Sequence, residues 1–304
     1  MDENVNENMD RDENAWLAER FEANRSHLRG VAYRMLGSLS DADDAIQEAW
    51  IRLNRTDAGA INNLQAWLTT VVGRVCLNML RSRATRREES LETHVPDPIV
   101  SSAEGIDPER QALLGDSVGL AMLVVLDSLT PTERIAFVLH DIFDVSFDEI
   151  APIVDRTPTA ARQLASRARR RVQGAPVPDV DLDGQWTVAD AFLAAARAGD
   201  FNRLLAVLDP DIVLHSDGGV ARPDLVSLVR GAQAVAGQAM TFRRFAETAT
   251  RVLVNGIPGG VAWTPDGSPF AILALTVHGG RIVEIDVLAD PDRLGKLDLT
   301  AVAS

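Results

Sequence analysis

Apolar and polar positions recur most regularly over residues 147–172, FDEIAPIVDRTPTAARQLASRARRRV. Their spacing predicts two helices separated by a tight break just before Thr157. Thr157 suits the capping position of the second helix, and Pro158 suits its first turn, where a backbone N–H is not needed. Pro152 lies inside the first helix. Because an interior proline removes a backbone hydrogen bond, we expect a kink or an early helix end there.

The second of these helices has an apolar face and an arginine-rich face. The residues that recur at helical spacing, and that we expect to be buried, are Ala161, Leu164, Ala165, Ala168 and Val172. A helix-turn-helix with a basic second helix is typical of a DNA reader. The candidate DNA contacts on the opposite face are Thr159, Arg162, Gln163, Ser166, Arg167 and Arg170. The alternative is an ordinary solvated helix whose arginines suit the negative end of the helix dipole.

Periodicity divides the chain into two helical units followed by a strand-rich one. Strand-like alternation near the C-terminus contains a Gly279-Gly280 turn, and strands that follow helices are typical of an α+β domain. Segments without apolar periodicity are predicted to be linkers. The predicted parts are a disordered acidic tail (1–14), a helical unit (15–85), a linker (86–110), a second helical unit with the helix-turn-helix (111–173), a second linker (174–184) and the α+β domain (185–304).

Two helices of the first unit carry candidate contact surfaces. The outer face of helix 40–53 is too acidic for DNA, so we expect it to meet solvent or a basic protein. Its candidate contacts are Asp41, Asp44, Gln47 and Glu48. Helix 64–87 combines arginines with aromatic and amide groups, which suit contacts to single-stranded DNA. The candidate contacts in and just before it are Asn62, Trp67, Arg74, Asn78 and Arg81. A core position explains Trp67 equally well.

Composition limits the partners. The net charge of -14 over 304 residues argues against indiscriminate nucleic-acid binding, so contact with DNA has to be local and oriented. The single cysteine, Cys76, excludes an intramolecular disulfide and a cysteine metal cluster, and it fits a reducing cytoplasm. The five histidines show no metal-ligand spacing, so we expect no cofactor and no metal. Without a long apolar run or a signal peptide, we expect a cytoplasmic protein that does not bind a membrane.

Three segments, in order over about residues 16–172, resemble the extracytoplasmic-function sigma factors of bacterial RNA polymerase. HLRGVAYRMLGSLSDADDAIQEAWIRL resembles the first part of sigma region 2, with its polymerase-binding helix. NLQAWLTTVVGRVCLNMLRSR is similar to the part that melts and reads the −10 promoter element. LTPTERIAFVLHDIFDVSFDEIAPIVDRTPTAARQLASRARRRV resembles region 4, whose helix-turn-helix reads the −35 element. The resemblance implies two all-α sigma domains whose partners are core RNA polymerase and promoter DNA.

The C-terminal part resembles a SnoaL-like domain, a cone-shaped α+β fold with a curved sheet around a pocket. The motifs HVPDPIV (94–100), SDGGV (216–220) and DPDRL (290–294) are similar to those of the sigma subfamily with a fused SnoaL-like domain. Three positions depart from that subfamily's motifs: valine replaces glycine at Val220, aspartate replaces asparagine at Asp290, and arginine replaces lysine at Arg293. The resemblance implies regulation in cis, without a separate anti-sigma factor. The regulatory contacts it implies are Pro96, Asp97, Pro98, Asp217, Gly218, Gly219, Asp290, Pro291, Asp292, Arg293 and Leu294.

Two function classes follow. The first is a transcription initiation factor that is not an enzyme. The second is an enzyme that acts through the SnoaL-like domain, since some domains of this fold are cyclases, isomerases or dehydratases with an acid–base pair. Its candidates are His215, Asp217 and Asp286, although no spacing singles out a dyad. A third option is a pocket for a small apolar ligand, with Trp263 in its lining. A pocket without a ligand is an equally good account.

Overall fold

The computed structural model of the protein describes residues 3–56, 61–86, 94–103, 120–174, 176–300 and 302, without the side chains of residues 3–15 and 84–86. Backbone contacts divide the chain into two units. One comprises Met1–Arg86 and Leu129–Arg170, and the other comprises Arg87–Ser128 and Arg171–Ser304. None of the described helices is both long and apolar enough to pass through a membrane.

The first unit is helical, and the second combines helices with a sheet. The helices are α1 (Glu3–Leu36), α2 (Leu39–Leu53), α3 (Leu64–Arg86), α4 (Leu120–Asp127), α5 (Pro131–Phe137, continued by the π-helical segment Val138–Ile142), α6 (Phe147–Ile150), α7 (Pro158–Val172), α8 (Leu182–Ala198), α9 (Phe201–Val207), α10 (Ala232–Thr241), α11 (Arg243–Ala246) and α12 (Pro291–Leu294). The strands are β1 (Val100–Ser102), β2 (Leu208–Asp217), β3 (Ser227–Arg230), β4 (Thr250–Val254), β5 (Ile257–Trp263), β6 (Pro269–His278) and β7 (Arg281–Leu288). The predicted order of helical parts followed by an α+β domain is confirmed.

The N-terminal segment differs from its prediction. Helix α1 begins at Glu3, so the expected disordered tail is wrong over residues 3–14, and residues 1–2 lie outside the described residues. No proline or glycine interrupts this segment. Extending an existing helix fixes one residue for each hydrogen bond gained, whereas starting a new helix fixes several, so the helix propagates outward from its apolar part.

The break between the two helices of the helix-turn-helix lies where the sequence predicts it. Helix α6 ends at Ile150, two residues before Pro152, which confirms the expected early end. Asp155 then adopts a φ of 54° in the left-handed region, which turns the chain. The hydroxyl of Thr157 accepts a hydrogen bond from the backbone N–H of Ala160 at 3.3 Å and caps α7.

The described strands form one mixed sheet in the order β1-β4-β5-β6-β7-β2-β3. Strands β2 and β7 are parallel, and the other described pairs are antiparallel. The β6–β7 hairpin turns at Gly279 and Gly280, which adopt φ values of 59° and 73°. Positive φ at both central residues is what a two-residue hairpin turn with the twist of the strands requires. The Gly-Gly hairpin prediction is therefore confirmed.

The two faces of this sheet have different surroundings. Helices α8, α9 and α10 cover the face that we call inner, where Leu193 of α8 packs in one cluster with Leu214, Leu275 and Ile285 of the strands. Side chains alternate between the faces along a strand. The opposite, outer face therefore carries His215 and Asp286. The predicted linker segment is part of this unit, because β1 pairs with the edge of β4.

Candidate nucleic-acid interface and linker dock

Helix α7 has the two faces that its sequence predicts. The buried residues are Ala161, Leu164, Ala165, Ala168 and Val172, which confirms the predicted apolar face. The exposed residues include all six candidate DNA contacts, Thr159, Arg162, Gln163, Ser166, Arg167 and Arg170. The helix therefore presents a polar, arginine-rich surface of the kind that reads DNA, and the individual contacts stay a prediction.

One arginine of this surface is tied to a buried carboxylate. The Nε of Arg167 donates to Oε1 of Glu133 at 3.0 Å, and the side chain of Glu133 is only 6% exposed. The other oxygen of Glu133 accepts from the hydroxyl of Thr130 at 2.8 Å and from its backbone N–H at 3.3 Å. Glu133 thus caps α5 and also holds α7. The two partners are 34 positions apart, and nothing in the sequence predicts their contact.

The remaining arginines of α7 have different surroundings. The guanidinium of Arg162 lies 5.2 Å from the ring centre of Phe147, and Arg169 forms an ion pair with Asp141. Arg170 makes no hydrogen bond or ion pair with another described residue. Arg162 and Arg170 can therefore reach a ligand without giving up an ion pair, whereas Arg169 and Arg167 cannot.

Helix α3 collects its candidate contacts on one side. The candidates at positions 67, 74, 78 and 81 recur at spacings of seven, four and three, which places them along one face of a helix. The exposed candidates are Asn62, Arg74, Asn78 and Arg81. Trp67 is half-buried, so it contributes both to packing and to the surface.

Two of these arginines already have partners within the first unit. Nη2 of Arg74 donates to the backbone carbonyl of Pro152 at 3.3 Å, and Nη1 of Arg81 lies 3.7 Å from Oδ2 of Asp155. Both partners belong to the turn of the helix-turn-helix. In this conformation the turn occupies part of the arginine-bearing face of α3, which the sequence did not predict.

The outer face of α2 is exposed and acidic. The opposite face of the helix is buried at Ala42, Ala45, Ile46, Ala49 and Leu53. Of the four candidate contacts, Asp41 forms an ion pair with Arg83, and Glu48 pairs at 2.9 Å with an arginine one turn later in α2. Asp44 and Gln47 are exposed and make no hydrogen bond or ion pair with another described residue. They are the members of this surface that are available to a partner.

Three segments that are distant in sequence meet at Arg293. Its Nε donates to Oδ1 of Asp97 at 2.7 Å, its Nη1 to Oδ2 of Asp217 at 2.8 Å, and its Nη2 to the carbonyl of Val95 at 2.5 Å. The side chains of Arg293, Asp97 and Asp217 are 18%, 15% and 11% exposed. Charged hydrogen bonds in such a protected place are stronger than those on an open surface. We call this site the linker dock, and its members are Val95, Asp97, Asp217, Gly219, Asp290 and Arg293.

Asp217 is the acceptor at the centre of the linker dock. Its Oδ2 accepts from the backbone N–H of Val95 at 3.1 Å, and its Oδ1 accepts from that of Gly219 at 3.0 Å. Nδ1 of His94 lies 3.2 Å from Oδ2. Burial raises the pKa of Asp217, but the hydrogen bond from His94 and the charge of Arg293 outweigh it and lower the pKa to about 2. Asp217 is therefore an anion that holds the linker backbone.

Asp290 and Gly219 fit closely together. Asp290 caps α12 by accepting from the backbone N–H groups of Asp292 at 2.9 Å and Arg293 at 3.4 Å. Gly219 adopts a φ of 61°, and a Cβ there would collide with the carboxylate of Asp290. A Cβ at Gly218 would collide with the carbonyl of Arg222. Both glycines are thus required for the close approach. The remaining predicted contacts that are buried are Pro96, Pro98 and Leu294.

Asn255 is a part of the linker attachment that sequence reasoning missed. Its Oδ1 accepts from the backbone N–H of Ile99 at 2.8 Å, and its own N–H donates to the carbonyl of Ile99 at 2.8 Å. Asn255 has a φ of 50° in the turn before Gly256. The Asn-Gly pair signals that turn, but nothing in the sequence indicates its partner.

The inner face carries an apolar cavity of about 130 Å³. Its walls include Phe192, Leu214, Phe242 and Phe270, and the polar side chains among its described lining are Ser216 and Gln238. Trp263, which the sequence placed in this lining, is not among the lining residues. Its Nε1 donates instead to the hydroxyl of Thr250 at 3.0 Å.

The three candidate catalytic residues do not face this cavity. Nδ1 of His215 lies 3.1 Å from Oδ1 of Asp286, so the two form a pair, but on the outer face, opposite the cavity walls Leu214 and Ile285. Burial lowers the pKa of His215, but hydrogen bonds to Asp286 and Glu284 outweigh it and raise the pKa above its usual value. Burial raises the pKa of Asp286. Asp217 is held in the linker dock.

Two family models match the helical parts of the chain. Sigma-70 region 2 matches residues 20–86, and Sigma-70, region 4 matches residues 120–172. These ranges contain α3 and α7 with their candidate DNA contacts, and α2 with its acidic face.

Full-length relatives are similar over most of the chain. The ECF RNA polymerase sigma factor SigJ of Mycobacterium tuberculosis is 37% identical over 289 residues, which is 90% of this chain and 91% of the relative. The probable ECF RNA polymerase sigma factor SigI of the same species is 36% identical over 284 residues, with 91% and 94% coverage. The crystal structure of M. tuberculosis SigJ superimposes with a TM-score of 0.77 at 34% identity, covering 93% of this chain and 99% of that one.

Proposed function

The chain belongs to the extracytoplasmic-function sigma factors of RNA polymerase, and from this premise we propose that its C-terminal domain regulates promoter use in cis by holding the interdomain linker in the linker dock. Sigma factors bind core RNA polymerase and promoter DNA. A regulator that is part of the same chain needs no separate anti-sigma factor, and we expect none. The protein would act in the cytoplasm, where the polymerase is.

The exposed face of α7 would read the −35 element. Residues Thr159, Arg162, Gln163, Ser166, Arg167 and Arg170 would share the contacts between base edges and phosphates. Arginine donates two hydrogen bonds to guanine in the major groove, and each good pair is worth about 1–3 kcal/mol of discrimination. Arg162 and Arg170 would contribute most to sequence reading, because neither is in an ion pair with a described residue.

The face of α3 would bind the −10 element, and the acidic face of α2 would bind core polymerase. On α3 the contacts would be Arg74, Asn78 and Arg81 together with Trp67 and the preceding Asn62. On α2, Asp44 and Gln47 would contribute most, because Asp41 and Glu48 are engaged in ion pairs. Arg74 and Arg81 would have to leave Pro152 and Asp155 before they reach DNA.

The observation that carries the proposal of regulation is the convergence on Arg293. One guanidinium bonds both Asp97 and Val95 in the linker and Asp217 in the sheet. Hydrogen bonds to charged groups are worth about 1.5–3 kcal/mol each. The protein would therefore have two defined states, one with the linker bound in the linker dock and one with the linker released. A regulator in cis needs two states that differ in free energy.

Reconstituted transcription with core polymerase tests this proposal. Arg293→Ala removes the centre of the linker dock, and Asp97→Asn weakens its linker side while Asp217 keeps its partner. Arg203→Ala is a matched control, because Arg203 is an exposed arginine of the same domain, 77% accessible and paired only within α9's first turn with Asp200 among the described residues. We expect both dock variants to change the initiation rate or promoter preference. If they transcribe like Arg203→Ala and the intact chain, the linker dock does not regulate the sigma factor.

The apolar cavity supports a second, compatible role, the binding of a small apolar ligand. An enclosed apolar cavity of about 150 Å³ takes up benzene, and this cavity is similar in size and lining. One of its wall residues, Ser216, directly precedes Asp217 of the linker dock. Benzene and indole should raise the melting temperature of the chain, and the rise should grow with the logarithm of their concentration once the cavity is saturated. If neither probe raises the melting temperature, the cavity does not bind small apolar ligands. Because the candidate acid–base residues face the other side of the sheet, we propose no enzymatic activity.

A further inference from the structure

Three ionisable side chains meet on the outer face of the sheet. His215 of β2 and Asp286 of β7 are direct partners in the parallel register, and Glu284 precedes Asp286 by two residues on the same face. Nδ1 of His215 lies 3.1 Å from Oδ1 of Asp286 and 3.2 Å from Oε1 of Glu284. One ligand atom from each side chain lies within 4.8 Å of the other two. We infer that His215, Glu284 and Asp286 form a binding site for a divalent transition-metal ion such as zinc.

The spacing of the three groups suits a single ion. Zinc binds imidazole nitrogen and carboxylate oxygen at about 2.0–2.2 Å, so tetrahedral ligands stand roughly 3.3–3.6 Å apart. Two of the distances in the cluster are already within a few tenths of an ångström of that separation. Three protein ligands leave a fourth position for water, which is the arrangement of an open zinc site.

The two carboxylates of the cluster are buried, and one of their oxygens lacks a hydrogen-bond partner among the described residues. Asp286 is fully buried and Glu284 is 5% exposed. Oδ2 of Asp286 is buried and has no hydrogen-bond partner among the described residues. Even with a protonated imidazole, two carboxylates leave a net negative charge in a buried place, which is costly without a compensating cation. A divalent ion would neutralise the cluster and give the unpartnered oxygen a ligand.

A cleft on the outer face gives access to the cluster. His215 and Glu284 line it, and the other acidic residues of its described lining are Asp127, Asp209 and Asp211. The basic residues of that lining, apart from His215, are His94 and Arg230. Even with both imidazoles protonated, four carboxylates against one arginine leave the lining with a net negative charge, which attracts cations.

A bound ion would tie β2 to β7 close to the linker dock. His215 precedes Asp217 by two residues, and Asp286 precedes Asp290 by four. Val124 and Asp127 of α4 line the same cleft, so the ion would lie between the sheet and the helix with which the region 4 match begins. We expect metal binding to stabilise this part of the protein as a unit.

Metal titration of the full chain, freed of metal with a chelator, tests the site. We expect one Zn²⁺ per chain by calorimetry, visible absorption bands with Co²⁺ that Zn²⁺ abolishes, and a higher melting temperature with either ion. Loss of one ligand should weaken binding by about tenfold or more, so in His215→Ala and Glu284→Gln all three signals should require correspondingly higher ion concentrations. Glu284→Gln keeps the size of the side chain, and far-ultraviolet circular dichroism checks that each variant is folded.

His278→Ala is the matched control. His278 is an exposed histidine of the same domain that lies 3.8 Å from a carboxylate of Asp179, and its loss should leave the stoichiometry and affinity unchanged. The proposal is overturned if the intact chain shows no saturable one-to-one binding. It is also overturned if Glu284→Gln, which keeps the fold, binds as tightly as His278→Ala, since the ion then binds elsewhere.

Discussion

Arg167 of α7 is bonded to Glu133, a carboxylate that lies outside the helix-turn-helix. We therefore predict that Glu133 holds α7 in place. Glu133→Gln keeps the size of the side chain but removes the charge that Arg167 binds. The arginine is 51% exposed, so solvent weakens the pair to about 0.2–1 kcal/mol. The capping box at Thr130 belongs to α5 and accepts glutamine as well as glutamate, so it adds nothing to this change. We therefore expect the opening of α7 to become easier by about 0.2–1 kcal/mol, or up to roughly fivefold.

Native-state hydrogen exchange measures this effect in the full chain. The method reports local opening for individual amides, so it does not require the whole chain to unfold in one step. Glu133→Gln and Arg167→Ala should both speed the exchange of the amides of α7. Arg170→Ala serves as the control, because Arg170 makes no ion pair with a described residue and its loss should leave exchange unchanged. If all three variants exchange alike, Glu133 does not position the helix.

Three further predictions concern the other surfaces. Arg162→Ala should lower transcription from a −35-dependent promoter about tenfold or more with unchanged polymerase binding, since a base contact of arginine is worth about 1–3 kcal/mol; normal initiation would exclude Arg162 from recognition. Asp44→Lys should weaken the association with core polymerase measured by titration while circular dichroism stays normal, and an unchanged affinity would remove α2 from the interface. Gly219→Ala should destabilise the linker dock by about 1–3 kcal/mol, because its backbone strain adds to the collision with Asp290. The control Gly267→Ala has a similar φ of 83° but open space around it, so equal melting temperatures of the two variants would contradict the close-approach account.

Local patterns in the sequence predicted local structure well. Apolar residues recur at helical spacing in 158–172, and this pattern predicted both faces of α7. The buried face of a helix follows this spacing whichever element packs against it. Pro152 and the Gly279-Gly280 pair marked a helix end and a hairpin, since both residue types restrict the backbone directly. The subfamily motifs at 94–100, 216–220 and 290–294 were found through resemblance, and the structure brings them to one place.

Contacts between distant residues could not be predicted from one sequence. Glu133 and Arg167 are 34 positions apart, and His215 and Asp286 are 71 apart. Predicting either contact requires knowledge of how the two elements align when they pack. That alignment depends on the whole core rather than on local spacing. The helix over residues 3–14 was missed for another reason. The acidic composition of the segment was read as disorder, although extending an existing helix costs little.

The pairing of β1 with β4 has a consequence for the stability of the C-terminal domain itself. Without Val100–Ser102, strand β4 would become the edge of the sheet, and its backbone groups facing outward would lose their partners. Unpaired edges are templates for association with other chains. The linker therefore also protects the domain from aggregation. A fragment that starts at residue 185 should self-associate in solution, whereas one that starts at residue 94 should stay monomeric at the same concentration.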